Sequence, residues 1–301
     1  MKVQWEKVEI VQKMQDYIRK NIFKENFNLN QMYCNIGYSH RHCDRVFKEL
    51  IGKTPQEYVR LILISNSSQE LLKTDKRILD IAMKFRYDTH EGYTRAFNNT
   101  FGITQKQYRK NPKPIPLFVQ YPIKSYYSYI LKKEELLMEK ETKLCIITTV
   151  ERPKRKLIFM RSKKANDYFS YCEEMGCEWE GLFNSIISKF DTAAILELPN
   201  KLLKDGYSKI ASGVEVPIDY QGDIPQNCEI AELDSCKIIY FESEPFEKEE
   251  DFFPAIESIF KAIEKYDPKK YGLEYADDIA PRFNFGGEKS AKYAIPVRNI
   301  E

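Results

Sequence analysis

Apolar positions in the first third of the chain recur with the period of an α-helix. In residues 8–22 they stand three or four apart, the spacing that places side chains on one face of a helix. Pro55 is the single proline before residue 112, and two-residue alternation of apolar and polar positions is rare. The pattern therefore predicts an all-helical region over residues 1–112.

The pattern changes after that region. Pro112, Pro114 and Pro116 end the helical part, because proline breaks helices and disfavours helix in the residue before it. Residues 113–140 are predicted to be a linker. From 141 to 301, short runs rich in β-branched residues flank two helix-like stretches, which predicts an α+β domain with a largely antiparallel sheet.

The helical region repeats itself at an offset of 50 residues. Residues 39–58 match residues 89–108, and upstream of each copy the offset becomes 49. Each copy has the layout of a helix-turn-helix: a short apolar helix, a turn and a second helix. Ser39 and Thr89 stand where the second helix begins, and serine and threonine are preferred N-cap residues.

The outer face of each second helix carries side chains suited to phosphates and base edges. For one helix alone, an ordinary solvated face is an equally good interpretation, but two matched copies favour DNA contact. The predicted DNA-contacting residues are Ser39, His40, Arg41, Asp44 and Arg45 in the first copy, and Thr89, His90, Glu91, Thr94 and Arg95 in the second. Arginine suits paired contacts with guanine, whereas Asp44 and Glu91 would accept from cytosine or hold neighbouring arginines.

The second copy resembles the AraC/XylS family of transcription regulators, most densely in residues 77–85, 94–97, 101–104 and 108–109. The resemblance covers residues 6–110. It implies an all-α domain of two helix-turn-helix units joined by a long helix over about 55–72. Their recognition helices would enter adjacent major grooves about 34 Å apart.

Three positions depart from this family pattern. Tyr33 stands where a small residue is usual, and Arg86 replaces the glycine of the second turn. Gly92 lies inside a recognition helix, at a cost of about 1 kcal/mol relative to alanine. These departures concern individual contacts rather than the fold.

The C-terminal half resembles the GyrI-like effector-binding domain in residues 165–181, 213–217, 280–283 and 296–297. The resemblance implies two pseudo-symmetric βαββ units around a cleft for small, often cationic or aromatic molecules. Aromatic rings and buried carboxylates suit such a cleft because both attract cations. The candidate ligand-binding residues are Trp179, Glu180, Tyr207, Glu215, Tyr275, Phe283 and Tyr293. Tyr293 stands where this family often has a glutamate, a role that Glu180 or Glu215 would take over. For each aromatic candidate, core packing is at least as good an interpretation.

Charge and cysteine content refine this picture. Residues 1–112 hold 20 Lys+Arg and 12 Asp+Glu, whereas the remainder holds 27 Lys+Arg and 33 Asp+Glu. Because the first part is basic and the second acidic, the first part is expected to bind a polyanion. Without a signal peptide or a transmembrane run, the seven cysteines are expected to be reduced thiols in a cytoplasmic protein. Cys172 and Cys177 are five apart, but no histidine is near, so neither a metal nor a cofactor is expected.

The leading hypothesis is a transcription activator that binds double-stranded DNA, a small-molecule effector and RNA polymerase, for which a monomer suffices and no membrane is needed. One alternative makes the C-terminal domain a sequestration module or a hydrolase that uses Tyr293 or Tyr275 with Glu180. Histidine is absent beyond residue 90, which excludes a Ser-His or Cys-His arrangement there. Another alternative is a nonspecific nucleic-acid binder.

Overall fold

The computed structural model describes residues 5–124, 126–127, 144–246, 251–286 and 290–300. The chain forms two compact units. Unit one comprises Met1–Pro112 and Phe118–Leu137, and unit two comprises Lys113–Leu117 and Met138–Glu301. Across these described ranges, no helix combines the length and the apolar character that a bilayer crossing would require.

The described part of the predicted linker packs on folded structure. Within unit two, the Ile115 backbone N–H donates to Ser185 Oγ at 2.8 Å. Within unit one, the Phe118 N–H donates to Ser65 Oγ at 2.8 Å. Both residues of the second pair belong to the helical unit, so unit one extends beyond the three prolines. The rest of the predicted linker, residue 125 and residues 128–140, lies outside the described residues.

Unit one is built from helices, as the period of its apolar positions predicts. The helices are α1 Trp5–Asn21, α2 Leu29–Ile36, α3 His40–Ile51, α4 Pro55–Lys73, α5 Ile78–Lys84, α6 His90–Phe101 and α7 Gln105–Lys110. The inner face of α1 is fully buried at Val8, Val11, Met14 and Ile18. The long helix expected near residues 55–72 is α4, which begins with a capping box made by Thr54.

Unit two contains one sheet, whose strands are all antiparallel to their neighbours. The strands are β1 Cys145–Arg152, β2 Arg155–Arg161, β3 Ala194–Glu197, β4 Ile210–Pro217, β5 Glu229–Leu233, β6 Cys236–Ser243, β7 Leu273–Tyr275, β8 Arg282–Phe285 and β9 Lys292–Asn299. The helices are α8 Tyr168–Met175, α9 Glu178–Asn184 and α10 Phe252–Lys265. The first predicted helical stretch is divided because Gly176, at φ 78°, ends α8.

The strand order shows a duplicated unit. The order is β1-β6-β9-β8-β3-β4-β2-β5, with β7 added beside β9. One half runs β2, α8 with α9, β3, β4, and the other runs β6, α10, β8, β9. The halves join through β3 and β8, where Leu196 lies opposite Phe283. This topology confirms the predicted α+β domain of two βαββ units.

Strand alternation divides the core of unit two between the two faces of the sheet. On one face, side chains of both halves form a single cluster that includes Phe159, Leu196 and Phe283. On the other face, α8 and α9 cover the first half, with Trp179 in the cluster, and α10 covers the second half. Side chains of successive strand residues therefore alternate between the helix-covered face and the face where strands of both halves pack together.

Candidate nucleic-acid interface and ligand cleft

The second helices of the two copies, α3 and α6, are built alike. Ser39 Oγ accepts from the His42 backbone N–H at 3.3 Å, and Thr89 Oγ1 accepts from the Gly92 N–H at 3.0 Å. Each helix has 12 residues and ends at a glycine in the left-handed region. Along residues 41–50 and 91–100, buried, half-buried and exposed positions follow the same order at all places but one. The repeat thus gives two equivalent outer faces.

The outer face of α3 presents His40, Arg41 and Arg45, all of them exposed. Arg45 Nη2 lies 3.3 Å from His42 Nδ1. Asp44 is half-buried, and its Oδ2 lies 3.8 Å from His40 Nε2. The helix therefore presents two exposed guanidinium groups and one half-buried carboxylate, which suits a surface that meets both phosphates and base edges.

Tyr33 is the large residue of the first copy that stands where the AraC/XylS-like pattern has a small one. Its ring is buried and its hydroxyl donates to Asp44 Oδ1 at 2.7 Å. The ring centroid is 3.9 Å from that of His40. Burial, and then the hydrogen bond to Asp44, raise the pKa of Tyr33, so the hydroxyl stays a donor. One oxygen of Asp44 is fixed by this bond.

The outer face of α6 presents His90, Glu91 and Arg95, which are exposed. Thr94 is half-buried: its hydroxyl donates to the His90 carbonyl at 2.8 Å and accepts from Gln105 Nε2 at 3.3 Å. Thr94 is thereby tied within the fold, whereas the other three project into solvent.

Gly92 is explained by the N-cap of α6. A Cβ at this position would lie 3.0 Å from Thr89 Oγ1, the atom that caps the helix. A side chain here would press on the capping oxygen. The glycine therefore allows a close cap, at the cost in helix propensity noted above.

Arg86 takes over the turn that glycine usually forms. It is one of two described non-glycine residues with positive φ, at 65°. Its guanidinium donates to the carbonyls of Ile22 at 3.3 Å and of Lys24, and it lies 5.2 Å from the centroid of the Phe27 ring. The left-handed conformation costs about 1–2 kcal/mol, which these contacts offset. Arg86 thus fastens the second turn to the segment after α1.

The structure distributes the seven predicted ligand-binding residues over several places. Glu215 and Phe283 belong to the strand-packed face, and Trp179 lies in the core beneath α8 and α9. Tyr275 and Tyr293 pack near α10. Tyr207 is exposed in a turn, with Lys204 Nζ 5.2 Å from its ring centroid. Glu180 is part of α9, on the helix-covered side of the sheet.

Glu215 is part of a buried ion-pair network. Its carboxylate lies 2.5 Å from Nε of Arg155, which is fully buried, and 3.5 Å from Nε of Arg152. Burial raises the pKa of Glu215, and the two arginines oppose that shift. A carboxylate held by two guanidinium groups is already neutralised by the fold, which disfavours it as the counter-charge of a cationic ligand.

The helix-covered side of the junction between the halves carries polar groups. Tyr293 lies opposite Asn284 across β8 and β9. Glu180 is nearly buried, and a Cβ at Gly286 would lie 3.2 Å from its Oε1, so glycine leaves room beside this carboxylate. No sequence pattern pointed to Asn284, because only the strand register brings it beside Tyr293.

Two buried donors near this side have no hydrogen-bond partner among the described residues: Trp179 Nε1 and the Tyr275 hydroxyl. Buried polar groups normally have partners, and exceptions are places where another molecule can bind. Burial raises the pKa of Tyr275 and of Tyr293, so both phenols stay protonated near neutral pH. Protonated phenols donate hydrogen bonds to a ligand more readily than they attack it.

Comparison with known proteins finds matches to part of the first unit. A family model described as a helix-turn-helix domain matches residues 34–111, from within α2 to just past α7. The right origin-binding protein of Escherichia coli (strain K12) is 36% identical over 86 residues, 29% of this chain and 30% of that protein. The HTH-type transcriptional activator AarP of Providencia stuartii is 30% identical over 82 residues, 27% of this chain and 61% of that protein. This chain therefore spans only about 30% of the length of the first relative.

The chain is also similar to solved structures that cover about half of its length. SAV2435 bound to tetraphenylphosphonium is 15% identical, over 51% of this chain and 94% of that chain, with a TM-score of 0.33. That score is too low to assign a ligand, so the fold of unit two rests on its own strand order.

Proposed function

We propose that this chain, which has an AraC-type helix-turn-helix domain, is a sequence-specific DNA-binding regulator that activates transcription together with RNA polymerase. The observation that carries the proposal is the pair of equivalent outer faces on α3 and α6, each opened by a capped N-terminus. One chain has both faces, so a monomer suffices for two half-sites. The cytoplasm is the compartment in which such a protein would act.

The exposed arginines supply the specific contacts in this account. Arg45 and Arg95 occupy matched positions of the two helices, and a guanidinium pairs with the O6 and N7 atoms of guanine. Asp44, held by Tyr33, presents its other oxygen as an acceptor for a cytosine amino group. Near the capped N-termini, Ser39 and Thr89 lie where helix dipoles favour phosphate.

Unit two serves, in this proposal, as an effector-binding domain for a small cationic or aromatic molecule. Support comes from the junction of the two βαββ halves, where Glu180 lies beside Gly286, and from the buried hydroxyl of Tyr275, which has no hydrogen-bond partner among the described residues. Glu180 supplies the negative charge in this proposal, at the place where Gly286 leaves room beside its carboxylate. Binding rather than hydrolysis is proposed, because the phenols of Tyr275 and Tyr293 keep their protons.

Selection of bound duplexes from a random DNA pool by the full chain, near physiological salt, tests the proposal. We expect enrichment of a motif with two half-sites about one helical turn apart. The double variant Arg45→Ala/Arg95→Ala should enrich nothing, whereas Arg19→Ala, an exposed arginine on α1 paired with Asp16, should enrich the same motif. Equal affinity for all duplexes with a steep salt dependence would instead show a nonspecific binder.

A further inference from the structure

Two thiols lie at the junction between α8 and α9. Cys172 is in the last turn of α8, and Cys177 directly precedes α9. The Gly176 N–H donates to the Cys172 carbonyl at 3.0 Å, which turns the chain back at this point. Cys172 is buried in the core cluster that contains Trp179, and the half-buried Cys177 packs against that cluster. Their side chains are within hydrogen-bonding reach of each other.

The two thiols differ in acidity. The hydrogen bond from Cys177 lowers the pKa of Cys172, and contacts with Trp179 and Tyr168 lower it further, while burial acts in the opposite direction. The same hydrogen bond, and then burial, raise the pKa of Cys177. Cys177 therefore keeps its proton and donates it to the Cys172 sulfur. Hydrogen bonds to the charged form of a thiol stabilise the thiolate, which is the reactive form.

The surroundings of Cys172 strengthen this asymmetry. The Trp179 indole N–H finds no acceptor at ordinary hydrogen-bonding geometry among the described residues, and its electrostatic effect falls on the Cys172 sulfur. The Tyr168 and Trp179 rings are 6.2 Å apart, so both donors flank the same space. Donors around the sulfur and a second thiol beside it are two features that Cys172 shares with oxidation-sensitive cysteines.

Two other cysteines provide internal contrast. Cys228 packs against the same cluster, but burial raises its pKa to about 11. Cys34 is exposed on α2. Cys228 is therefore a control with comparable burial, and Cys34 is a control that is more exposed to solvent than either cysteine of the pair.

We propose that Cys172 and Cys177 form a peroxide-sensitive dithiol, in which Cys172 is the nucleophile and Cys177 the resolving thiol. This inference does not depend on the proposed DNA-binding function. The second thiol, five residues away across the turn, distinguishes the pair from a single buried cysteine.

The reaction consumes one hydrogen peroxide. The Cys172 thiolate attacks one peroxide oxygen, an S–O bond forms, the O–O bond breaks, and the released hydroxide takes the proton that Cys172 gave up. The Cys177 sulfur then attacks the sulfenic sulfur, an S–S bond replaces the S–O bond, and the second hydroxide leaves as water with the Cys177 proton. Two thiols are oxidised to a disulfide while peroxide is reduced to two molecules of water.

The test is peroxide titration of the reduced, folded full chain, followed by alkylation of the remaining thiols and peptide mapping. We expect the first oxidised species to carry a disulfide between Cys172 and Cys177, with Cys228 still alkylated. Cys172 should also be labelled by iodoacetamide at least about tenfold faster than Cys228 at neutral pH, with a labelling midpoint at lower pH.

Single substitutions separate the two roles. Cys177→Ser should stop the reaction at a sulfenic acid on Cys172, which dimedone traps, whereas Cys228→Ser should leave disulfide formation unchanged. Circular dichroism checks that each variant is folded. The proposal is overturned if Cys34 or Cys228 is oxidised before Cys172 in the folded chain, or if the disulfide forms only after denaturation.

Discussion

Replacing Glu215 with glutamine should strongly destabilise unit two. The Glu215 carboxylate is 4% exposed and lies 2.5 Å from Nε of Arg155, whose side chain is fully buried. Glutamine preserves the shape and one acceptor oxygen but removes the negative charge. Apart from that neutral oxygen, Arg155 would keep the carbonyls of Pro153 and Asp234 and the Cys236 sulfur as partners.

The magnitude follows from the burial of this pair. Removing one partner of a buried ion pair costs about 3–5 kcal/mol, because the other charge remains buried without compensation. The amide oxygen of glutamine still accepts a hydrogen bond, which reduces the expected loss to about 2–4 kcal/mol. Glu232 offers the matched control, because it forms an ion pair with Lys154 in which both side chains are more than half exposed. Glu232→Gln should leave stability unchanged.

Urea unfolding measured by fluorescence can isolate unit two. The chain has two tryptophans, Trp5 and Trp179, so a Trp5→Phe background leaves Trp179 as the single reporter. We expect the urea midpoint to fall in Glu215→Gln at an unchanged slope, and to stay in place in Glu232→Gln. A midpoint shift in Glu215→Gln no larger than that in the control would refute this account. Loss of ligand binding at full stability would instead make Glu215 the counter-charge of the ligand.

Three further predictions concern unit one. Arg45→Ala and Arg95→Ala should each weaken binding to the selected duplex by about 1–3 kcal/mol in gel-shift titrations, and unchanged affinity would remove that arginine from the contacts. Tyr33→Phe removes the hydrogen bond that holds the Asp44 carboxylate. Discrimination between base pairs at one position of the first half-site should therefore fall by about 1 kcal/mol, with affinity for random duplexes unchanged. Discrimination equal to that of the unaltered chain would contradict the role of this hydrogen bond. Arg86→Ala should melt at a lower temperature than Arg86→Gly, with about 1 kcal/mol between them, because only glycine relieves the left-handed strain; equal melting temperatures would argue against such strain.

Local signals in the sequence predicted most of unit one. Ser39 and Thr89 were identified as N-caps from their place before a helical run, and the structure confirms both. Caps and helical periods depend on residues within a few positions of each other, so one sequence suffices to find them. The role of Tyr33 could not be found this way, because its partner lies on another helix, 11 residues away.

The candidate ligand cleft was less predictable, because it depends on strand register and on which face the helices cover. Glu215 and Val214 are adjacent in sequence but point to opposite faces, one towards Arg155 and the other into the cluster beneath α8 and α9. The composition of the C-terminal half indicates acidic and aromatic residues without indicating their face. The set of seven ligand-binding residues therefore stays a prediction, with Glu180 and Trp179 as its best-supported members.

Changing the spacing of the two half-sites is the most direct test of the central claim that one chain contacts DNA through both α3 and α6. The duplex recovered by selection is lengthened by about five base pairs, half a helical turn, between its half-sites. We expect affinity to fall at least about tenfold, to the value of a duplex with a single half-site. Unchanged affinity for the lengthened duplex would contradict it, since only one helix would then contact DNA.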